Sequence, residues 1–502
     1  MKNSNALTIF LIGLFLGVTA WLGWRTWQIQ QAGMQGLPMS GMADYQMESA
    51  VQQLVEQPDQ AMAQRLLPQL RELHAENPGP RERTLLAIVL YYSANMDPDY
   101  YHDYLREALP LMMENYSASR TDQGGSGELL LNFLAMAQQE DAFERWKRDL
   151  LSREPYMQEE LDLLALELWL ETDQRESAKA LIDRYIKPNL QSRSATTMAF
   201  KIHCMLNQYD QASQFESEAI DIPQEDNSTG KSDNSENNKP VVDRYTYITT
   251  LDYLLKNARF QEARAYLDRT SNELLDPAYI ALHQAIILAS EGRSNSPEFA
   301  GFLGQISQSP FMRMSRDGAE ASVYAALAEI GGGTDCLSEA AALYAGNEMD
   351  TQVLQNLSLV CLYTNQGTIE LLDSNGVSHE LNALQLAVQA LESARNFEDR
   401  QQSLMLLAAV YAAQPRSAED IQLQQKSLEY LHKALLTDVE DPEEGFPASL
   451  RTNLSVITSD EFIRKLRRSS PQYDVQVHEL IRAHVDRTRE YYGSDPLSVS
   501  EP

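Results

Sequence analysis

Cysteine is scarce in this 502-residue chain, and the short motifs that carry catalytic chemistry are missing. Its three cysteines, Cys204, Cys336 and Cys361, are too widely spaced for a disulfide framework or a zinc site and are expected in the core. We find no phosphate-binding loop, no His-Glu-x-x-His and no Gly-x-Ser-x-Gly elbow. His203 beside Cys204 makes a poor nucleophile pair, because adjacent helical residues point about 100° apart. The sequence therefore predicts no enzyme, no metal and no cofactor.

Basic residues are also few. The chain has 41 Lys and Arg against 72 Asp and Glu, a net charge of −31. Nucleic-acid affinity depends on contacts from Lys and Arg to phosphates, so we expect no nucleic-acid partner. An anionic lipid surface is equally unsuitable. We attribute the charge to solubility of a long, exposed helical chain rather than to a dedicated acidic groove.

Strand-like alternation is nearly absent, with short exceptions at 368–373 and 376–377. Apolar residues instead recur at helical spacing from residue 48 onward, broken by Gly- and Pro-rich turns. This pattern predicts an all-α protein built from helical pairs. The expected pairs span 48–75, 81–115, 126–153, 157–187, 192–221, 242–272, 275–307, 316–346, 350–395 and 400–437.

A small alanine follows a polar turn at a nearly constant interval. Ala142, Ala178, Ala212 and Ala263 lie 36, 34 and 51 residues apart. The last interval contains the polar run 224–240, which we expect to be a disordered insertion. Without those 17 residues it is also 34. A period of 34 with two helices per unit is typical of tetratricopeptide repeats.

The chain resembles the tetratricopeptide-repeat family most clearly over 126–275 and 400–442. One unit combines Trp169, Ala178, Ile182 and Pro188, and another has Leu404, Leu407, Ala408, Tyr411, Leu431 and Ala434. Bulky residues replace the family's small ones at Leu130, Leu166, Phe200 and Leu251. The resemblance implies a right-handed solenoid of about ten hairpins whose first helices line a concave groove for peptides or proteins. It places Glu160, Glu167, Thr197, Lys201, Tyr245 and Asp252 in that groove.

Residues 1–30 read as a membrane anchor. Ala6 to Trp24 carry no charge, and 19 residues of helix span about 28 Å, close to a bilayer core. Trp21, Trp24 and Trp27 are expected at the membrane interface. The alternative is a signal peptide cleaved after Ala20. We expect a single-pass protein whose body is extracytoplasmic, joined to the anchor by a flexible linker, 31–47.

The remaining chain divides into tetratricopeptide-like repeats at 48–223 and 241–442, and into capping helices and a tail at 443–502. The last part holds a basic cluster, Arg464 to Arg468, which we interpret as charge favouring a helix end. The alternatives are pairing with the acidic body or docking of an anionic partner.

Taken together, the sequence predicts a membrane-anchored scaffold that binds other proteins or peptides, with assembly or quality control of envelope proteins as its suggested role. A different hypothesis is an exported solenoid that binds a small ligand or polymer after signal cleavage. A third is an enzyme whose site has no recognisable motif.

Overall fold

In the part of the chain that the structure describes, the protein is all-α apart from one small β-hairpin. The computed structural model describes residues 42–97, 100–118, 125–186, 193–216, 244–270, 276–331, 335–365, 367–414, 420–436 and 454–492. The described residues form two compact units. Counting only the described residues, the central unit consists of 179–393 with 459–461, and the terminal unit draws on 42–178, 394–436 with 454–458, and 462–492.

The helices follow one another with short connections. The first part of the terminal unit contains α1 (Met42–Glu56), α2 (Gln60–Glu76), α3 (Pro80–Met96), α4 (Tyr101–Ala118), α5 (Gly125–Met136), α6 (Glu140–Arg153) and α7 (Gln158–Glu171). Helix α8 (Arg175–Tyr185) crosses into the central unit, which continues with α9 (Arg193–Met205), α10 (Tyr209–Ala212), α11 (Arg244–Lys256), α12 (Phe260–Arg269), α13 (Pro277–Ser290), α14 (Pro297–Gln308), α15 (Arg316–Ile330), α16 (Asp335–Asn347) and α17 (Thr351–Thr364).

The hairpin interrupts this succession. Strands β1 (Ile369–Leu372) and β2 (Ser378–Leu381) pair antiparallel. Strand β1 lies within the predicted strand-like segment 368–373, whereas β2 begins just after the second predicted segment, 376–377. Helix α18 (Ala383–Ser393) completes the central unit. The terminal unit resumes with α19 (Phe397–Ala413), α20 (Asp420–Leu436), α21 (Leu454–Ser459), α22 (Glu461–Ser469) and α23 (Pro471–Tyr492).

Side-chain caps fix where several helices begin. Asp59 accepts a hydrogen bond from the Met62 amide at 2.6 Å at the start of α2. Ser315 does the same for α15, and Asp350 for α17. Each cap satisfies an amide that has no partner inside its helix, which is worth about 1 kcal/mol.

The same left-handed turn closes successive helical hairpins. Its αL residues are Gln138, Asp173, Asn207, Ala258 and Gly292, with φ between 55° and 70°. Their spacings are 35, 34, 51 and 34 residues. In each turn the amide of the next residue donates to the carbonyl five residues before it, at 2.7 to 3.0 Å, as from Gln174 to Trp169. This is the Schellman arrangement, which satisfies the last carbonyls of the first helix. Gly331 and Asn365, again 34 apart, are αL at the ends of α15 and α17.

The first helices of successive hairpins also pack on one another. Such contacts join α1 to α3 and α5 to α7 in the terminal unit, and α9 to α11, α13 to α15 and α15 to α17 in the central unit. The first helices are therefore buried on almost every side, as in α3, where Leu85 to Met96 are all buried. Second helices such as α6 bury one face. The four landmark alanines, Ala142, Ala178, Ala212 and Ala263, are all buried.

Several predicted segments lie outside the described residues. These are the anchor with Trp21, Trp24 and Trp27, the insertion 224–240, and most of the linker 31–47, although α1 already begins at Met42. Within the part of the chain that the structure describes, no helix combines the length and the apolar character needed to cross a membrane.

Candidate functional site

The six predicted groove residues all lie on first helices but differ in exposure. Glu160 and Glu167 on α7 and Thr197 on α9 are half-buried. Lys201 on α9 and both residues on α11, Tyr245 and Asp252, are buried. Only the half-buried residues are placed to touch a partner directly, since the others are covered by neighbouring helices.

The C-terminal end of α7 forms an acidic site in the terminal unit. Glu167 and Glu171 are one helical turn apart, which brings their carboxylates to the same face. Burial, together with the charge of Glu167, raises the pKa of Glu171 to about 7, although a hydrogen bond from Gln138 opposes the shift. Such a pKa allows Glu171 to change its charge near neutral pH. The sequence signal for Glu171 is its i, i+4 spacing from Glu167.

The central unit contains polar groups inside its stack of first helices. His283 on α13 directs Nε2 towards Oδ1 of Asp252, 3.7 Å away, and its Nδ1 donates to the Tyr279 carbonyl at 2.8 Å. Because Nδ1 carries the proton in this contact, Nε2 of a neutral ring faces the carboxylate with its lone pair. At 3.7 Å the two groups are not hydrogen-bonded.

An ion pair links α11 to α15 nearby. Lys256 Nζ lies 2.6 Å from Glu329 Oε1, and the two side chains are 2% and 0% exposed. A buried pair of this kind adds little net stability but strongly penalises any packing that separates its members. Sequence reasoning missed both residues, although each is a charge that follows an apolar run at the C-terminal end of its helix.

The neighbours His203 and Cys204 have separate surroundings. His203 stacks on Phe215 with ring centroids 5.5 Å apart, and its Nδ1 is 2.8 Å from Oε1 of Gln208. Burial and the nearby charge of Asp252 raise the pKa of the Cys204 thiol well above its usual range. A thiol that stays protonated is a weak nucleophile, so this pair offers no reactive centre. No group of three His, Cys, Asp or Glu side chains suited to a metal ion occurs among the described residues.

A dense set of ion pairs joins α22 and α23 to the recurring turns of the terminal unit. We call these contacts the C-terminal clamp; its acidic members are Glu140, Asp173 and Asp474, and its cationic members are Arg175, Arg467, His478, Arg482 and Arg489. Its residues come from sequence segments about 300 positions apart, as the Arg175–Asp474 pair shows.

Asp173 is the first centre of the clamp. Its Oδ2 lies 2.7 Å from Arg467 Nη2, 2.7 Å from His478 Nδ1 and 3.1 Å from Arg175 Nη2. Burial alone would raise the pKa of Asp173, but Arg467, Arg175 and His478 outweigh it, and the pKa is lowered. Arg467 thus pairs with the acidic body of the protein rather than serving only as helix-end charge, the interpretation the sequence had favoured.

Glu140 is the second centre. Arg482 Nη1 is 2.8 Å from its Oε1, Gln174 Nε2 donates to Oε2 at 2.8 Å, and Arg489 also contacts the carboxylate. Its side chain is 5% exposed. Arg482 donates in addition to the Thr172 carbonyl at 3.1 Å, which ties α23 to the turn after α7. The clamp therefore fixes the C-terminal helix against two consecutive turns.

No protein-family model and no curated protein matches this sequence. The tetratricopeptide resemblance consequently depends on the recurring turns, the alanines and the matched apolar positions such as Trp169 and Leu404.

Proposed function

We propose that the protein is a tetratricopeptide-like scaffold that binds segments of other proteins through its first helices and is held at a membrane by residues 1–30. The observation that carries the proposal is the left-handed turn that recurs at intervals of 34 or 35 residues, apart from the longer connections. Within each unit, a constant turn gives its hairpins the same connection between first and second helix. Stacked hairpins of this kind present an extended surface suited to peptides and helices.

The half-buried side chains Glu160, Glu167 and Thr197 are the proposed contact points. With Glu171, α7 offers three carboxylates, which favours a partner segment rich in Lys or Arg. The buried Lys201, Tyr245 and Asp252 would act indirectly, because they fix the spacing of α9 and α11. The suggested role is assembly or quality control of envelope proteins, with the body outside the cytoplasm.

The test is to purify the tagged full-length protein from its own membranes after crosslinking. We expect one dominant partner with the natural sequence and its loss when Glu160→Lys and Glu167→Lys are combined. The matched control combines Asp183→Lys and Asp210→Lys, which make the same charge change at exposed positions on second helices. Circular dichroism checks that both variants keep their helix content. Equal recovery of the partner with both variants would contradict the proposal.

A further inference from the structure

The β-hairpin has the features of a docking edge for an extended peptide. It is the one strand pair in the described part of a helical protein, and its inner face is held firmly. Ile369 and Leu371 are 4% and 0% exposed, and β1 packs on α16. Glu348 accepts from the Ser374 hydroxyl at 3.1 Å and so ties the turn to the end of that helix. The hairpin is thus fixed before any partner arrives, which lowers the entropic cost of binding.

The outer strand β2 has an open edge. The Asp373 amide donates to the Val377 carbonyl at 2.9 Å and closes the turn. Hydrogen-bonded and non-bonded pairs alternate along an antiparallel ladder, so Leu372–Ser378 and Glu370–Glu380 are the non-bonded pairs. The amides and carbonyls of Ser378 and Glu380 therefore point away from β1. Within the described residues no backbone group bonds to them.

The outer face of the hairpin carries two negative charges that no described cationic side chain neutralises. Glu370 and Glu380 stand directly opposite one another. Like charges in this position destabilise a sheet. Their carboxylates accept hydrogen bonds from the Ser378 and Thr368 hydroxyls, at 2.7 and 2.5 Å, and neither has a cation partner in the described parts of the chain. A cationic side chain from a third strand would relieve this repulsion.

Apolar side chains accompany these carboxylates. Leu372 and Val377 are 52% and 53% exposed, and Met349, which follows the turn-binding Glu348, is 64% exposed. Three of the seven large exposed apolar side chains in the described residues therefore lie at this hairpin. Val377 precedes β2 and has the two-residue parity of His379, so it lies on the face opposite Glu380. A partner that alternates cationic and apolar residues would place its cations beside Glu380 and its apolar residues on the face of Val377.

We propose that β2 binds an extended protein segment with alternating Lys or Arg and apolar residues as a third strand of the sheet. A second copy of this chain is a poor occupant, because pairing two β2 edges would bring the two Glu380 carboxylates together. This site is separate from the proposed contact points on α7. All of its residues lie in the central unit.

The probe is an eight-residue peptide of alternating Lys and Val, added to the full-length protein and followed by fluorescence anisotropy and hydrogen exchange. We expect binding with slower exchange of the Ser378 and Glu380 amides. A peptide of alternating Glu and Val should bind about fivefold more weakly, as one cross-strand charge pair with Glu380 allows. With Glu370→Lys and Glu380→Lys combined, this preference should reverse.

Backbone methylation of the peptide tests the edge without altering the protein. Methyl groups on every second amide of the peptide block one of its edges and leave its charge unchanged. One of the two alternately methylated peptides should retain binding and the other should lose it. The Glu160→Lys and Glu167→Lys variant should bind the probe normally, which separates this site from the proposed groove.

Four results would overturn the inference. Three concern the peptide: no binding of the Lys–Val peptide, equal binding of both methylated forms, or protection confined to residues outside the hairpin. Dimerisation of the chain that disappears with Glu380→Lys would also overturn it, since a second copy would then be the occupant.

Discussion

Replacing Ala258 by glycine should stabilise the central unit. Ala258 is the αL residue between α11 and α12, with φ of 56°. Its methyl group is exposed, so the substitution removes little packing. A non-glycine residue in this conformation brings Cβ too close to the next carbonyl oxygen, whereas glycine adopts it freely.

The size of the effect follows from two opposing terms. Relief of αL strain contributes about 1–2 kcal/mol. The greater freedom of glycine in the unfolded chain costs about 0.5–1 kcal/mol. We therefore expect a net stabilisation of about 0.5–1 kcal/mol.

The assay is urea unfolding of the full-length protein, with hydrogen exchange at the Arg259 amide as a local measure. That amide donates to the Leu254 carbonyl at 2.8 Å and closes the turn. Ala180→Gly is the matched control, because Ala180 is exposed within helix α8 of the same unit. It should destabilise by about 1 kcal/mol. If Ala258→Gly destabilised the protein as much as the control does, the left-handed turn would be refuted.

Three further predictions concern charged groups. Glu171→Gln should flatten the pH dependence of stability, because glutamine mimics the protonated acid. In the natural protein the raised pKa of Glu171 lowers the free energy of unfolding by about 1–3 kcal/mol as pH rises from about 4.5 to about 7. Glu140→Gln should weaken the C-terminal clamp by about 2 kcal/mol and speed amide exchange in α23, because its arginines lose a nearly buried carboxylate. Lys256→Met should cost about 3–5 kcal/mol in unfolding free energy, and adding Glu329→Leu should recover most of that loss.

Each of these predictions has its own control. Glu176→Gln, on the exposed side of α8, should leave the pH profile unchanged. Asp141→Asn neighbours Glu140 in sequence but is 92% exposed, so α23 should keep its exchange rates. For the buried pair, the double variant is the control. If it lost as much unfolding free energy as Lys256→Met alone, the cost would not come from leaving the Glu329 carboxylate without its cation.

The helical class and the repeat interval could be predicted from the sequence, because both depend on interactions between residues that are close together in the chain. Apolar spacing selects helices, and the small landmark residue Ala178 is buried. The turn itself was harder to foresee, since Gln138, Asp173 and Ala258 are αL without being glycine. Their conformation is imposed by the packing of the two helices that they join.

The rest of the candidate site depends on contacts between distant segments. Nothing local in α23 predicts that Arg482 meets Glu140, because the two residues are 342 positions apart. The burial of Asp252 likewise follows from helices on both sides of α11. Repeat registers place such residues on a helix face, but only the assembled stack decides whether that face is covered.

Site-specific photocrosslinking tests the central claim most directly. A photoreactive amino acid would replace Glu160, Glu167 or Thr197 on first helices and Asp183 or Asp210 on second helices, in the full-length protein in its own membranes. The account predicts that one partner protein crosslinks from the first-helix positions and not from the other two. Crosslinks to that partner that are as strong from the second helices would contradict a scaffold that binds through its first helices.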